Sequence, residues 1–174
     1  MSIATRLHPF DLEAEGFDLA IHFGRPDWPD ATPTLLCDET MIAVAAPGFI
    51  RAHALDTAEN LTRAPRLALA SRPLAWEQWF RHCQLDHSPR APAMEFDRFN
   101  MIITAACQAM GMALLPQYLI ERELDSGALA ALGMTPMKTP NSYYIMRPRG
   151  DSAGPVSQFI ENLVGWVSED GGKI

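Results

Sequence analysis

Residues 95–118, EFDRFNMIITAACQAMGMALLPQY, restrict the fold of this chain more than any other stretch. They read as strand end, turn, helix, glycine stop, strand and proline restart. Met101, Ile102, Ala105, Ala106, Ala109 and Met110 keep helical spacing, Asp97 is placed to cap the helix, and Gly111 is placed to end it before the apolar run Met112–Leu115. Together these form one crossover unit of an α/β fold. A helix whose first turn opens beside a strand end offers unpaired N–H groups and a positive dipole end, which suits an anionic ligand.

The 174 residues, with 48% hydrophobic and 20% charged content, suit one ordinary domain or two small lobes. A formal net charge of -7 and the absence of a Lys/Arg block argue against this chain alone gripping duplex DNA. Met1–Phe10 has no apolar signal core and no run of about 18 apolar residues occurs, so the expectation is a cytoplasmic chain with neither export nor membrane spanning. Cys37, Cys83 and Cys107 are odd in number and widely spaced, and read as reduced packing residues.

Taken in order, the pattern predicts a strand over 2–7, a helical turn over 10–15, a strand over 17–23 and a proline-bounded loop over 25–30. Loops at the carboxyl ends of strands are where ligands of open α/β sheets sit. Residues 34–46 are either two strands or one long one. A helix starts at Pro47, Asp56 or Thr57 caps another, and 66–70 is a buried strand. Trp76, Trp79, Phe80 and Cys83 fall at i, i+3, i+4 and i+7 of a helix over 74–84. After a loop over 88–92 come the strand 94–96, the helix and strand described above, a helix over 116–123 ended by Gly127, and strands over 129–132 and 143–146 around a loop over 135–140. Pro155 opens the last helix, and 169–174 is expected to be disordered.

Several residues could carry chemistry. Gly150-Asp151-Ser152-Ala153-Gly154 matches a nucleophile elbow, but no histidine follows Ser152 to complete a triad in that order, so a turn at a helix start is the better reading. His82 and His87 are five apart, which does not align two metal ligands on one helix face, and Cys83 between them reads as packed. His22 either meets a ligand or is a half-buried polar group. Arg25 either pairs bidentately with a carboxylate or neutralises Asp27 or Asp30. Trp76 either walls a cleft or belongs to the core with Trp79 and Phe80. No catalytic residue, metal or cofactor is expected.

Gly111-Met112-Ala113-Leu114-Leu115-Pro116, followed by Leu119 and Glu123-Leu124-Asp125-Ser126-Gly127-Ala128-Leu129, resembles the G-hydrophobic-A-hydrophobic-L-P…L…G-L signature of LysR-type regulators. Asp18–Arg25 with Asp27-Trp28-Pro29, then Ala46-Pro47, Trp76, Trp79 and Tyr143–Pro148 follow in the family's order and resemble its glycine-cleavage-activator-like branch. The resemblance is to the effector-binding part. It implies an α/β, two-lobed fold like that of type 2 periplasmic binding proteins, with 1–46 and 147–169 in lobe one, 47–146 in lobe two, 170–174 as a tail, and a hinge at the two crossings. It favours one long strand over 34–46. The function implied is sensing of a small effector, with DNA contacted only through a winged helix-turn-helix; the helix start and Arg25 make an anionic or zwitterionic effector the expectation, and the sheet edge left by a missing first strand predicts a homo-oligomer. The expected ligand contacts are His22, Arg25, Phe99, Asn100, Met101 and Trp76. The family's DNA-binding segment and the first strand and helix of lobe one have no counterpart in this sequence, so an N-terminally truncated domain with an incomplete lobe one is expected. The rival readings are an enzyme using the same cleft, which would need a nucleophile–base pair, and a solute-binding protein, which would need an export signal.

Overall fold

The computed structural model describes residues 3–6, 8, 10–86, 92–150 and 154–171, the last four of these by backbone alone. In chain order they form β1 (Ala20–Gly24), β2 (Ala31–Ala45), α1 (Pro47–His53), α2 (Ala58–Arg63), β3 (Arg66–Leu69), α3 (Ala75–His82), β4 (Met94–Phe96), α4 (Phe99–Cys107), β5 (Met112–Pro116), a 3-10 turn (Gln117–Leu119), α5 (Glu121–Asp125), β6 (Ala130–Ala131), β7 (Met137–Pro148) and α6 (Pro155–Gly171). The fold is mixed α/β. The chain packs as two compact units, one of 1–39 with 139–174 and the other of 40–138. It leaves the first unit inside β2 and returns to it inside β7.

In the first unit the strand order is β1-β7-β2. β1 runs antiparallel to β7, from Ala20 opposite Met146 to Gly24 opposite Ser142. Leu12, Trp28 and Met146 form a small buried core, with Phe10, Phe17 and Tyr144 against it. The Trp28 indole donates to Phe10 O at 3.0 Å, so the proline-flanked loop is anchored by its one buried side chain. Asp11 Oδ1 accepts from Ala14 N at 2.9 Å and holds the turn before β1.

In the second unit the order is β2-β5-β3-β4, with β6 also on β2. β3 is parallel to both β4 and β5, while β2 and β5 are antiparallel. β5 is buried along its whole length because both faces are covered. Met112 and Leu114 face a cluster with Phe49, Trp76, Trp79 and Phe80. Ala113 and Leu115 face one with Ile102, Ala105, Ala106 and Leu129.

Several sequence expectations change. Residues 3–6 form no strand, and Ser2 and Leu7 lie outside the described residues. Residues 34–45 belong to one strand of 15 residues, Ala31–Ala45, the longer of the two options, and Ala46 is already the N-cap of α1. Thr57, not Asp56, caps α2, accepting from Asn60 N at 3.3 Å. The expected helix over 116–123 is a 3-10 turn followed by the five-residue α5. The expected loop over 135–140 is largely strand, since β7 begins at Met137 and carries Pro140 within it. Proline is tolerated in a strand where its missing N–H is not required by the ladder, so it did not break this one. The last helix continues to Gly171, past the expected end at 169.

Candidate functional site

The carboxyl ends of the parallel strands β3 and β4 define one pole of the second unit. Ala70 N donates to Phe96 O at 2.8 Å, extending the pairing past the end of β3. The chain then turns, with Arg72 N on Leu69 O at 2.9 Å and Ala75 N on Arg72 O at 3.1 Å, and enters α3. After β4 only Asp97 and Arg98 intervene before α4 begins.

That helix starts without a side-chain cap. Its N-cap is Arg98, extended and making no capping bond, and no acidic residue lies in the first turn. Asp97 therefore does not cap the helix, contrary to expectation. It stands one residue too early for its carboxylate to reach the N–H groups of the second or third helical residue, and lies instead 3.8 Å from Arg98 Nε on an exposed surface. Asn100 turns its amide oxygen back to accept from Met101 N at 3.0 Å. Phe99 is half-buried, whereas Asn100 and Met101 are exposed.

Arg72 is the residue that sequence reasoning missed. It is half-buried, with its guanidinium carbon 5.1 Å from the centre of the Phe99 ring and Nη1 3.7 Å from Met41 Sδ. The guanidinium thus lies against the ring of the first residue of α4. The available signal was a basic residue just beyond a buried strand, at the edge where α/β sheets take ligands. Arg72, Phe99, Asn100 and Met101 thus gather at one pole, a combination able to meet a carboxylate with a fork and backbone N–H groups.

The other expected contacts are placed differently. Trp76 is only 8% exposed, donates its indole N–H to Leu67 O at 2.8 Å and meets Trp79 edge-on at 5.4 Å. It is core, with its polar handle already engaged. His22, in β1, is half-buried with its ring edge-on to Trp28 at 5.2 Å. Its Nε2 would lie 2.6 Å from a Cβ at Gly24, so the glycine leaves room for the imidazole. Arg25 is exposed and, among the described residues, pairs with neither Asp27 nor Asp30. Asp30 lies 3.6 Å from Arg149 instead.

His82 Nε2 is 3.1 Å from Pro136 O, tying the end of α3 to the loop before β7. His87 and Ser152 lie outside the described residues. Among the described residues no group of three or more His, Cys, Asp or Glu side chains could hold a metal ion, and no helix is long and apolar enough to cross a membrane. All three thiols are half-buried and free. Burial pushes each thiol pKa up, aided at Cys37 by the charges of Asp38 and Glu39 and at Cys107 by Glu123, with a backbone hydrogen bond opposing it at Cys107.

Residues 2–168 match the family described as LysR substrate binding domain. The HTH-type transcriptional regulator DsdC of Escherichia coli (strain K12) is 28% identical over 168 residues, covering 92% of this chain and 54% of that protein. The glycine cleavage system transcriptional activator of the same strain is 27% identical over 137 residues, covering 78% of this chain and 45% of that protein. This chain therefore spans about half the length of such relatives. The effector domain of the transcriptional regulator AmpR of Pseudomonas aeruginosa superposes with a TM-score of 0.76 at 24% identity, covering 92% of this chain and 77% of that one. The architecture is accordingly the periplasmic-binding-protein-like one that the sequence motifs implied. With a family match along nearly its whole length and regulators among its relatives, the chain belongs to the LysR substrate-binding domain family.

Proposed function

We propose that this chain senses a small anionic or zwitterionic metabolite and passes its presence to a DNA-binding segment of a LysR-type regulator. The family match and the regulator relatives support the sensing role. One observation carries the charge of the ligand: α4 starts uncapped at the carboxyl ends of β3 and β4, with the Arg72 guanidinium held over Phe99. The helix end supplies N–H donors and a favourable dipole, and the guanidinium supplies a bidentate charge. Asn100 and Met101 belong to the same turn. His22 and Arg25 of the first unit are proposed as further ligand contacts, while the buried Trp76 is not. A ligand that favours one arrangement of the two units over another shifts the population between them. The site of action is the cytoplasm, the working form a homo-oligomer, and contact with DNA would come from a winged helix-turn-helix, since a net charge of -7 gives this part no phosphate-binding footprint.

Thermal melts with a panel of carboxylates and their neutral analogues test the reading. Carboxylates should raise the melting temperature with the logarithm of their concentration above Kd, with stabilisation reaching about 2.7 kcal/mol at a hundredfold excess. Arg72→Ala should abolish the rise while remaining folded, and Arg72→Lys should restore little of it, because a point charge does not reproduce the fork. Arg25→Ala measures the share of the first unit. Neutral analogues stabilising as well as acids, or Arg72→Ala responding like the parent, would sink the proposal.

A further inference from the structure

β2 and β7 are the two strands that carry the chain from one unit to the other, with the unit boundaries at 39/40 and 138/139. Glu39 and Thr139, the residues on the first unit's side of these boundaries, are joined across the strand pair. Thr139 Oγ1 lies 3.1 Å from Glu39 Oε2, and Glu39 is fully buried at 0% exposure. A second tie lies beside it, the buried Ser142 hydroxyl donating to Asp38 Oδ1 at 3.0 Å. Between the two tied residues of β7 sits Pro140, which has no N–H to give to a ladder.

The Thr139 hydroxyl is also 2.9 Å from Asn141 O, on the far side of that proline. A hydroxyl has a single proton to donate, so the carboxylate and the carbonyl share it. Side chains thus tie the strand pair on either side of Pro140. Burying a carboxylate is costly unless it is hydrogen-bonded, and the Thr139 hydroxyl is among the groups that meet this one.

We infer that Glu39, Thr139, Asp38 and Ser142 form a clasp that fixes β2 to β7 on the first unit's side of the crossing, and so confines backbone bending to the residues just beyond it, Thr40–Met41 and Met137–Lys138. The clasp requires only the two-unit architecture and is independent of which ligand the second unit takes.

Hydrogen exchange by mass spectrometry on the full 174-residue chain tests it. Thr139→Val, which exchanges the hydroxyl for a methyl of similar size, should speed exchange about tenfold in peptides covering 36–42 and 137–143 through local opening, and leave β3, α4 and β5 at parental rates. Thr139→Ser, which keeps the hydroxyl, should match the parent. If Thr139→Val does not fold, Ser142→Ala should show the same localised pattern to a smaller extent. The clasp is refuted by unchanged exchange at the crossing, by a rise spread evenly over both units, or by Thr139→Ser behaving like Thr139→Val. Because no ligand is added, its failure leaves the sensing proposal untouched, and failure of the carboxylate screen leaves the clasp untouched.

Discussion

Gly111 shows how one residue can be read for the wrong reason. Its position after a helical stretch suggested a helix stop, yet α4 ends at Cys107 and the left-handed residue is Ala109, at φ 57°. Ala109 N bonds Ala106 O at 3.0 Å and Met110 N bonds Ala105 O at 3.1 Å, a Schellman closure made without glycine. Gly111 serves packing instead. A Cβ there would stand 2.9 Å from Leu67 Cδ2 and 3.1 Å from Pro65 O. Gly111→Ala should therefore cost about 1–3 kcal/mol by overpacking, seen as a lower urea midpoint with an unchanged slope. The thiols carry a pH signature at the same scale. Their raised values favour the neutral form in the folded chain, so their contribution is complete below the ordinary thiol value and is lost as pH rises through the raised one. Alkylation by iodoacetamide should accordingly require higher pH in the folded chain than in the same chain in denaturant.

Among the elements, long apolar patterns were legible and short polar ones were not. The i, i+3, i+4 spacing of Trp76, Trp79 and Phe80 announced α3, and all three are buried. Met112–Leu115 announced a strand, and the structure covers both of its faces. By contrast, Lys138-Thr139-Pro140-Asn141-Ser142 carries turn-forming residues, yet it is strand, because side-chain ties to β2 that no local pattern records hold it extended. The candidate site divides in the same way. Phe99, Asn100 and Met101 could be found from the strand-turn-helix pattern, whereas Arg72 depends on which strand end lies beside α4, a matter of sheet order. The missing cap of α4 can be supplied by mutation. Arg98→Asp should stabilise the helix by about 1 kcal/mol, and the new carboxylate should compete with a ligand for the same N–H groups. A higher melting temperature with a smaller carboxylate-induced rise is the expected pair of results. An undiminished rise would place the anion elsewhere.

At the scale of the molecule, the resemblance carried in the Gly111–Pro116 motif gave the family and the architecture, because those apolar positions are fixed by burial on both faces of β5. It implied crossings at 46/47 and 146/147, whereas the packing divides the chain at 39/40 and 138/139, inside β2 and β7. The second unit, residues 40–138, contains both of its own apolar clusters. Expressed alone, 40–138 should be folded, with a cooperative thermal transition and dispersed amide resonances; a chain with neither would show that the first unit is needed to complete its core. The first unit, in contrast, draws on two separated stretches of sequence, and both β1 and β2 neighbour β7 within it. During synthesis, therefore, residues 40–138 can collapse around a finished core while β1 and the first half of β2 still wait for β7 to leave the ribosome. The part that holds the start of α4 can thus become native first, and the strand that closes the other unit emerges only after all of it has been made.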